Sequence, residues 1–172
     1  EEIGLVGSAA YADSANANGD IIMGVLNYDM IAWDSNNDYK LTLGTNALSQ
    51  GLTNNYQDVM NIYTPELNWN YTSIEASDHA SFWNYNIPAL LAIEEYPGDF
   101  NAYYHTPQDA FNILNIAYFK RMVQAAVAGL ATEGWNCKMG LQHTPIVSGV
   151  NTDDQTAILN AVSPLTIANN VN

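Results

Sequence analysis

Four places in this sequence carry side chains suited to chemistry: the adjacent Glu1 and Glu2, Asp29 behind an apolar run, the pair Glu94 and Glu95, and His105. Carboxylates combined with an imidazole make the hard N/O donor set that zinc and other divalent ions take at catalytic centres. Each has a plainer reading in isolation. Glu1 and Glu2 read as a solvated surface pair, and His105 as a hydrogen-bonded structural histidine. Asp29 is harder to dismiss, because a carboxylate closing an apolar strand is costly to bury unless it is paired or bound to a metal.

Such groups do chemistry together only if the fold gathers them, and an α/β sheet does so just beyond the carboxyl ends of its buried strands. The patterning predicts those strands. Ile21–Trp33 is almost wholly apolar before Asn27, as a strand buried on both faces would be. Lys40–Gly44 and Leu67–Ser73 alternate, and Ile87–Ile93 is a second buried run that leads into Glu94-Glu95. Between them, Gly4–Ala12 reads as a turn and short helix with Ser8 as N-cap, Leu48–Tyr63 has helical spacing, and Ser77–Asn84 reads as a short capped helix. A helical stretch is expected after Thr106-Pro107, then a long amphipathic helix over Leu114–Thr132 with a break after Gly134. Strands alternating with helices predict an α/β, three-layer domain whose mostly parallel sheet is flanked by helices.

Composition narrows the partners. The chain has 172 residues, 48% hydrophobic and 11% aromatic, which suffices for one packed domain and excludes a disordered chain. Eighteen acidic residues against four basic ones give a net charge of −14, a surface that repels nucleic acid and anionic membranes. No apolar run is long enough to span a bilayer. Cys137 is the single cysteine, so a disulfide scaffold and a cysteine-rich zinc finger are both excluded. The chain opens on Glu1-Glu2 without a basic or apolar leader and closes on a polar run, and so reads as an internal piece of a longer protein.

Four short motifs occur in order: Glu1-Glu2-Ile3-Gly4-Leu5-Val6-Gly7-Ser8, Leu26-Asn27-Tyr28-Asp29-Met30, Ser77-Asp78-His79-Ala80-Ser81-Phe82, and His105-Thr106-Pro107-Gln108-Asp109, with 27 positions from Glu2 to Asp29. Taken together they resemble the catalytic half of the M28-type zinc aminopeptidases over about Glu1 to Gly134. The resemblance implies a zinc exopeptidase-like fold, incomplete at its N-terminal side, and two divalent metal ions, zinc in this family. It implies peptide or protein N-termini as substrates, and a secreted or periplasmic setting. By position, Glu1 matches the general base that activates the water between the metals. Glu2 and His105 match ligands of one ion, and Asp29 a ligand of the second. Ser77, Asp78 and His79 match a segment lining the site, where they would orient ligands by hydrogen bonds without His79 being a ligand itself. The family's remaining ligands, a histidine and an aspartate bridging both ions, lie upstream of the glutamate pair and have no counterpart here; His143 is no substitute. The chain alone is therefore expected to be inactive.

Other readings stay open. Within the same fold the residues also suit a glutaminyl-cyclase-like or carboxypeptidase-like enzyme. A non-catalytic binding module is the alternative from another class, although it predicts erosion at Glu1, Glu2, Asp29 and His105, which are intact. Glu94, Glu95 and Asp99 could meet a substrate amine or form a solvated acidic loop. Tyr103 and Tyr104, beside His105, are candidates for a substrate pocket, whereas Trp33, Trp69, Phe82 and Trp83 read as core. Residues 1–140 are expected to form the C-terminal part of a catalytic domain. The Thr-, Val-, Ile- and Asn-rich residues 141–172 read as a linker and the start of a β-sandwich appendage.

Overall fold

The computed structural model describes residues 3–140, with the side chains of residues 3–134. Its centre is β4 (Ala89–Glu94), buried at all six positions, as an Ala-Leu-Leu-Ala-Ile run covered on both faces should be. On one side β4 pairs in parallel with β1 (Val25–Tyr28). On the other it pairs antiparallel with β2 (Lys40–Gly44), which pairs in parallel with β3 (Asn68–Thr72). The order is β1-β4-β2-β3, so two of the three pairings are parallel.

Helices cover both faces. Helices α2 (Gln50–Tyr63) and α4 (Ile116–Gly140) pack over Leu41, Leu43, Leu90 and Ala92 with Tyr56, Met60, Tyr118, Met122 and Ala125. Each large aliphatic side chain buried there contributes about 1.5–3 kcal/mol relative to exposure. Helices α1 (Val6–Asn18) and α3 (His79–Trp83) close the opposite face through Ala12, Phe82 and Ala89. Among the described residues no helix is long and apolar enough to cross a membrane.

Several boundaries differ from the sequence reading. The strand expected over Ile21–Trp33 shrinks to Val25–Tyr28; Ile21 and Met23 are 81% and 57% exposed, so their apolarity does not mark burial. Pairing with β4 starts where the Val25 N–H meets the Pro88 carbonyl at 2.9 Å, and Met30, at φ 49°, turns the chain away soon after Tyr28. Ser8 does not cap α1. The helix begins at Val6 behind a left-handed Leu5, while Ser8 Oγ donates to the Leu5 carbonyl at 3.2 Å and pairs with Ser81 Oγ at 2.9 Å, tying α1 to α3. Helix α3 likewise has no side-chain cap. After Thr106-Pro107 there is only a 3-10 turn, Phe111–Ile113, and α4 runs unbroken past Gly134. The appendage expected over 141–172 lies outside the described residues.

Two glycines on α4 should respond oppositely to alanine. A Cβ at Gly129 would sit 2.9 Å from Cδ2 and Cε2 of the buried Tyr56 ring and 3.3 Å from Leu26 Cδ1, whereas at Gly134 nothing lies within 4 Å. Gly129→Ala should lower stability by about 1–3 kcal/mol through overpacking. Gly134→Ala should be neutral or stabilising by up to ~1 kcal/mol through helix propensity. Urea midpoints measure both, and equal effects would refute the close crossing of α4 over Tyr56.

Candidate active site

Strand direction brings Asp29 and Glu94 to one edge of the sheet. Parallel β1 and β4 end on the same side, and antiparallel β2 begins there, with Leu41 opposite Glu94. Asp29 follows β1, Glu94 closes β4, and the loop from Glu95 to Asp109 that leaves this edge carries His105.

Asp29 is half-buried and held by a relay. Ser77 Oγ donates to Asp29 Oδ2 at 2.9 Å and accepts from Asn27 Nδ2 at 2.8 Å. Asn27 stands two residues before Asp29, and the period of two along an extended strand puts both on one face. Ser77 is buried. Among the described residues no lysine or arginine forms an ion pair with Asp29; the pairs present are Lys40–Glu95 and Arg121–Glu66. The carboxylate is oriented by a neutral hydroxyl, which leaves its charge available to a cation.

His79 is fully buried. Its Nε2–H donates to the Ile74 carbonyl at 2.9 Å, and its ring stands edge-on to Trp83 at 4.6 Å. Burial pushes the imidazole below its ordinary value, so the ring is neutral at physiological pH. Asp78, its neighbour, starts the turn into α3.

His105 lies on the exposed face of its loop, in a left-handed conformation at φ 57°, with its ring stacked on Tyr104 at 3.7 Å. Tyr104 in turn packs edge-on against Phe100 at 5.4 Å, and Tyr103 packs against Trp33 at 5.9 Å. Both tyrosines keep about two-fifths of their surface exposed, at 40% and 43%. Trp33 is thus not simply core; it supports the tyrosine beside the candidate ligand.

In the acidic loop Glu94 and Glu95 are buried and Asp99 is half-buried. Glu94 is 1% exposed and its Oε1 accepts the Asn101 N–H at 2.7 Å. Burial pushes this carboxyl up to about 8, with the charges of Asp109 and Asp99 adding to the rise against the Asn101 hydrogen bond. Glu95 is paired with Lys40. Asp99 accepts from Trp33 Nε1 at 3.0 Å, from the Ser35 N–H and Oγ at 2.6 Å each, and from the Asn36 N–H at 3.2 Å. Burial raises its carboxyl, but the bonds from Ser35, Trp33 and Asn36 outweigh it and hold the group below the usual carboxylate range.

Asp29 and Ser77 are therefore in contact, and His105 is carried on the loop that leaves β4. Glu1 and Glu2 lie outside the described residues, and among the described residues no three histidine, cysteine, aspartate or glutamate side chains cluster as a metal site. The sequence reading missed Asn27 and Asn101. A polar residue interrupting an apolar strand two positions before an aspartate was the available signal for Asn27. An Asn two residues before Tyr103, whose N–H its Oδ1 accepts at 2.8 Å, is a standard turn signal.

Residues 1–130 match the family model described as peptidase family M28. Among solved structures, the LapA aminopeptidase of Legionella pneumophila is similar at 26% identity and a TM-score of 0.66, over 73% of this chain and 34% of that one. BSAP, a zinc aminopeptidase from Bacillus subtilis, shares the fold at 18% identity and a TM-score of 0.64, over 77% of this chain and 33% of its own. A glutaminyl cyclase from an Acidobacteriales bacterium shares it at 20% identity and a TM-score of 0.58, over 74% of this chain and 45% of that one. The chain spans about a third of the length of the two aminopeptidases.

Proposed function

The chain belongs to peptidase family M28, and from that premise we propose that it is the C-terminal part of a metal-dependent exopeptidase, an aminopeptidase that removes N-terminal residues from peptides and proteins. The observation that carries the reading is Asp29: a half-buried carboxylate at the carboxyl end of β1, oriented by Ser77, with no basic partner among the described residues. That is the environment of a ligand awaiting a cation. His105 adds an imidazole on a loop of the same sheet edge, so the donors fit the N/O preference of zinc.

In this reading Asp29 serves one ion, and Glu2 with His105 the other. When bound, two divalent ions, zinc by family resemblance, supply a water acidic enough to attack at neutral pH and a Lewis acid for the scissile carbonyl. Glu1 takes the proton from the attacking water and returns it to the leaving amine. Ser77, pinned by Asn27, holds the Asp29 carboxylate in one orientation. Asp78 and His79 shape the wall beneath it, where a neutral His79 adds no charge to compete with a metal. Tyr103 and Tyr104 line the pocket for the substrate side chain. The family resemblance also supports a secreted or periplasmic setting.

The test uses the complete enzyme and a panel of aminoacyl anilides. Chelation should abolish cleavage and zinc should restore it. Leucyl, phenylalanyl and methionyl anilides should be the best substrates, because the segment Asn101-Ala102-Tyr103-Tyr104 is uncharged and aromatic. Best turnover on acidic or acetylated substrates would reject the specificity. Ammonia release from N-terminal glutamine with no anilide cleavage would replace the peptidase by a glutaminyl-cyclase-like activity.

A further inference from the structure

Glu94 is the only acidic residue in a strand whose other five positions are Ala, Leu, Leu, Ala and Ile, all buried. A carboxyl in that setting is costly unless its hydrogen bonds are worth more than an apolar side chain would be. Its bonds run in two directions. The Glu94 N–H donates to the Met30 carbonyl at 3.0 Å, one residue beyond Asp29 and at a left-handed backbone position. Its Oε1 accepts the Asn101 N–H at 2.7 Å. Asn101 then closes the loop on both sides of His105: Oδ1 accepts the Tyr103 N–H at 2.8 Å and Nδ2 donates to Asp109 Oδ1 at 3.0 Å. We propose that Glu94 and Asn101 form a brace that fixes the His105 loop against the segment bearing Asp29, making both positioning residues for the metal site.

The brace rests on the reading of His105 and Asp29 as ligands. It explains how His105 can sit on an exposed loop at φ 57° and still be held in one place: the left-handed backbone is stabilised by its anchored flanks rather than by its own burial. What the brace needs from residue 94 is an acceptor oxygen, not a charge. Glutamine should therefore substitute for glutamate, and alanine should not.

The experiment titrates the metal-free complete enzyme with zinc alone, comparing Glu94→Ala, Glu94→Gln and His105→Ala, with thermal midpoints of the metal-free forms as the folding control. Glu94→Ala should weaken zinc affinity ~10–100-fold at the same site that His105→Ala removes, as loss of a ligand-orienting partner does. It should lower kcat at least tenfold with KM within threefold, and Glu94→Gln should return both to within threefold of the parent. If Glu94→Ala does not fold, Asn101→Ala carries the same expectation while leaving the strand intact. Unchanged zinc affinity in Glu94→Ala or Asn101→Ala, with His105→Ala still losing a site, would overturn the brace alone. A Glu94→Gln variant as defective as Glu94→Ala would also overturn it. If His105→Ala leaves both zinc sites intact, the ligand reading falls and takes the brace with it.

Discussion

Replacing Glu1 with glutamine in the complete enzyme is expected to lower kcat by ~10²-fold or more while the bound zinc stays near the parent value. Loss of a positioned general base typically removes 10²–10⁴-fold in rate. The amide keeps the size and the hydrogen bonding of the carboxylate but cannot take a proton from water. If Glu1 were instead a ligand, the neutral amide would bind a dication far more weakly, and metal content would fall together with the rate. Parallel zinc analysis and kinetics on one preparation therefore separate base from ligand. Metal loss in this variant, or unchanged turnover, would overturn the assignment.

The second large effect concerns Glu2 and His105, which the proposed site gives to the same ion. Each single change to alanine should take one zinc out of the protein and lower kcat/KM by orders of magnitude, because the proposed mechanism would need both ions together. The double variant should lose little more. Once an ion has gone, its remaining ligand has nothing left to hold, and effects of partners acting as a unit do not add. Zinc content per chain in the two single variants and the double variant measures this. Two separate losses that sum in the double variant would show that Glu2 and His105 serve different ions.

How much was legible beforehand depended on whether a residue's environment was local. The buried strand β4 was plain because Ala-Leu-Leu-Ala-Ile leaves no polar face, and α2 because its apolar residues recur at helical spacing. The direction of β2 against β4 was not legible, since an alternating pattern reads the same either way. Ile21 and Met23 misled because apolar type was equated with burial, and both are exposed. The break assigned after Gly134 overweighted one glycine, which costs a helix only about 1 kcal/mol. Asp29 and His105 stood out as polar groups at the ends of apolar or aromatic runs. The Ser77 that orients Asp29 is 48 residues away in sequence, and no local pattern encodes such a contact. Glu94 was grouped with the loop because it follows an apolar run, yet it is the last residue of the strand, where burial rather than solvent sets its behaviour.

The strand order also bears on how the chain is made. Strands β2 and β3, joined through α2, can assemble as a unit as soon as they leave the ribosome. Strand β1, made earlier, has its described partner only in β4, which must enter between β1 and β2. The 60 residues separating Tyr28 from Ala89 take roughly 3–12 seconds to synthesise at about 5–20 residues per second. Through that interval β1 presents backbone donors and acceptors that β4 has yet to meet, the kind of exposed strand that other nascent chains or a chaperone can capture. His105 follows Glu94 by only 11 residues. The sheet and its candidate ligand loop are thus finished within moments of each other during translation, so an interruption that strands the chain before β4 would leave the sheet without its central strand and the proposed site without His105.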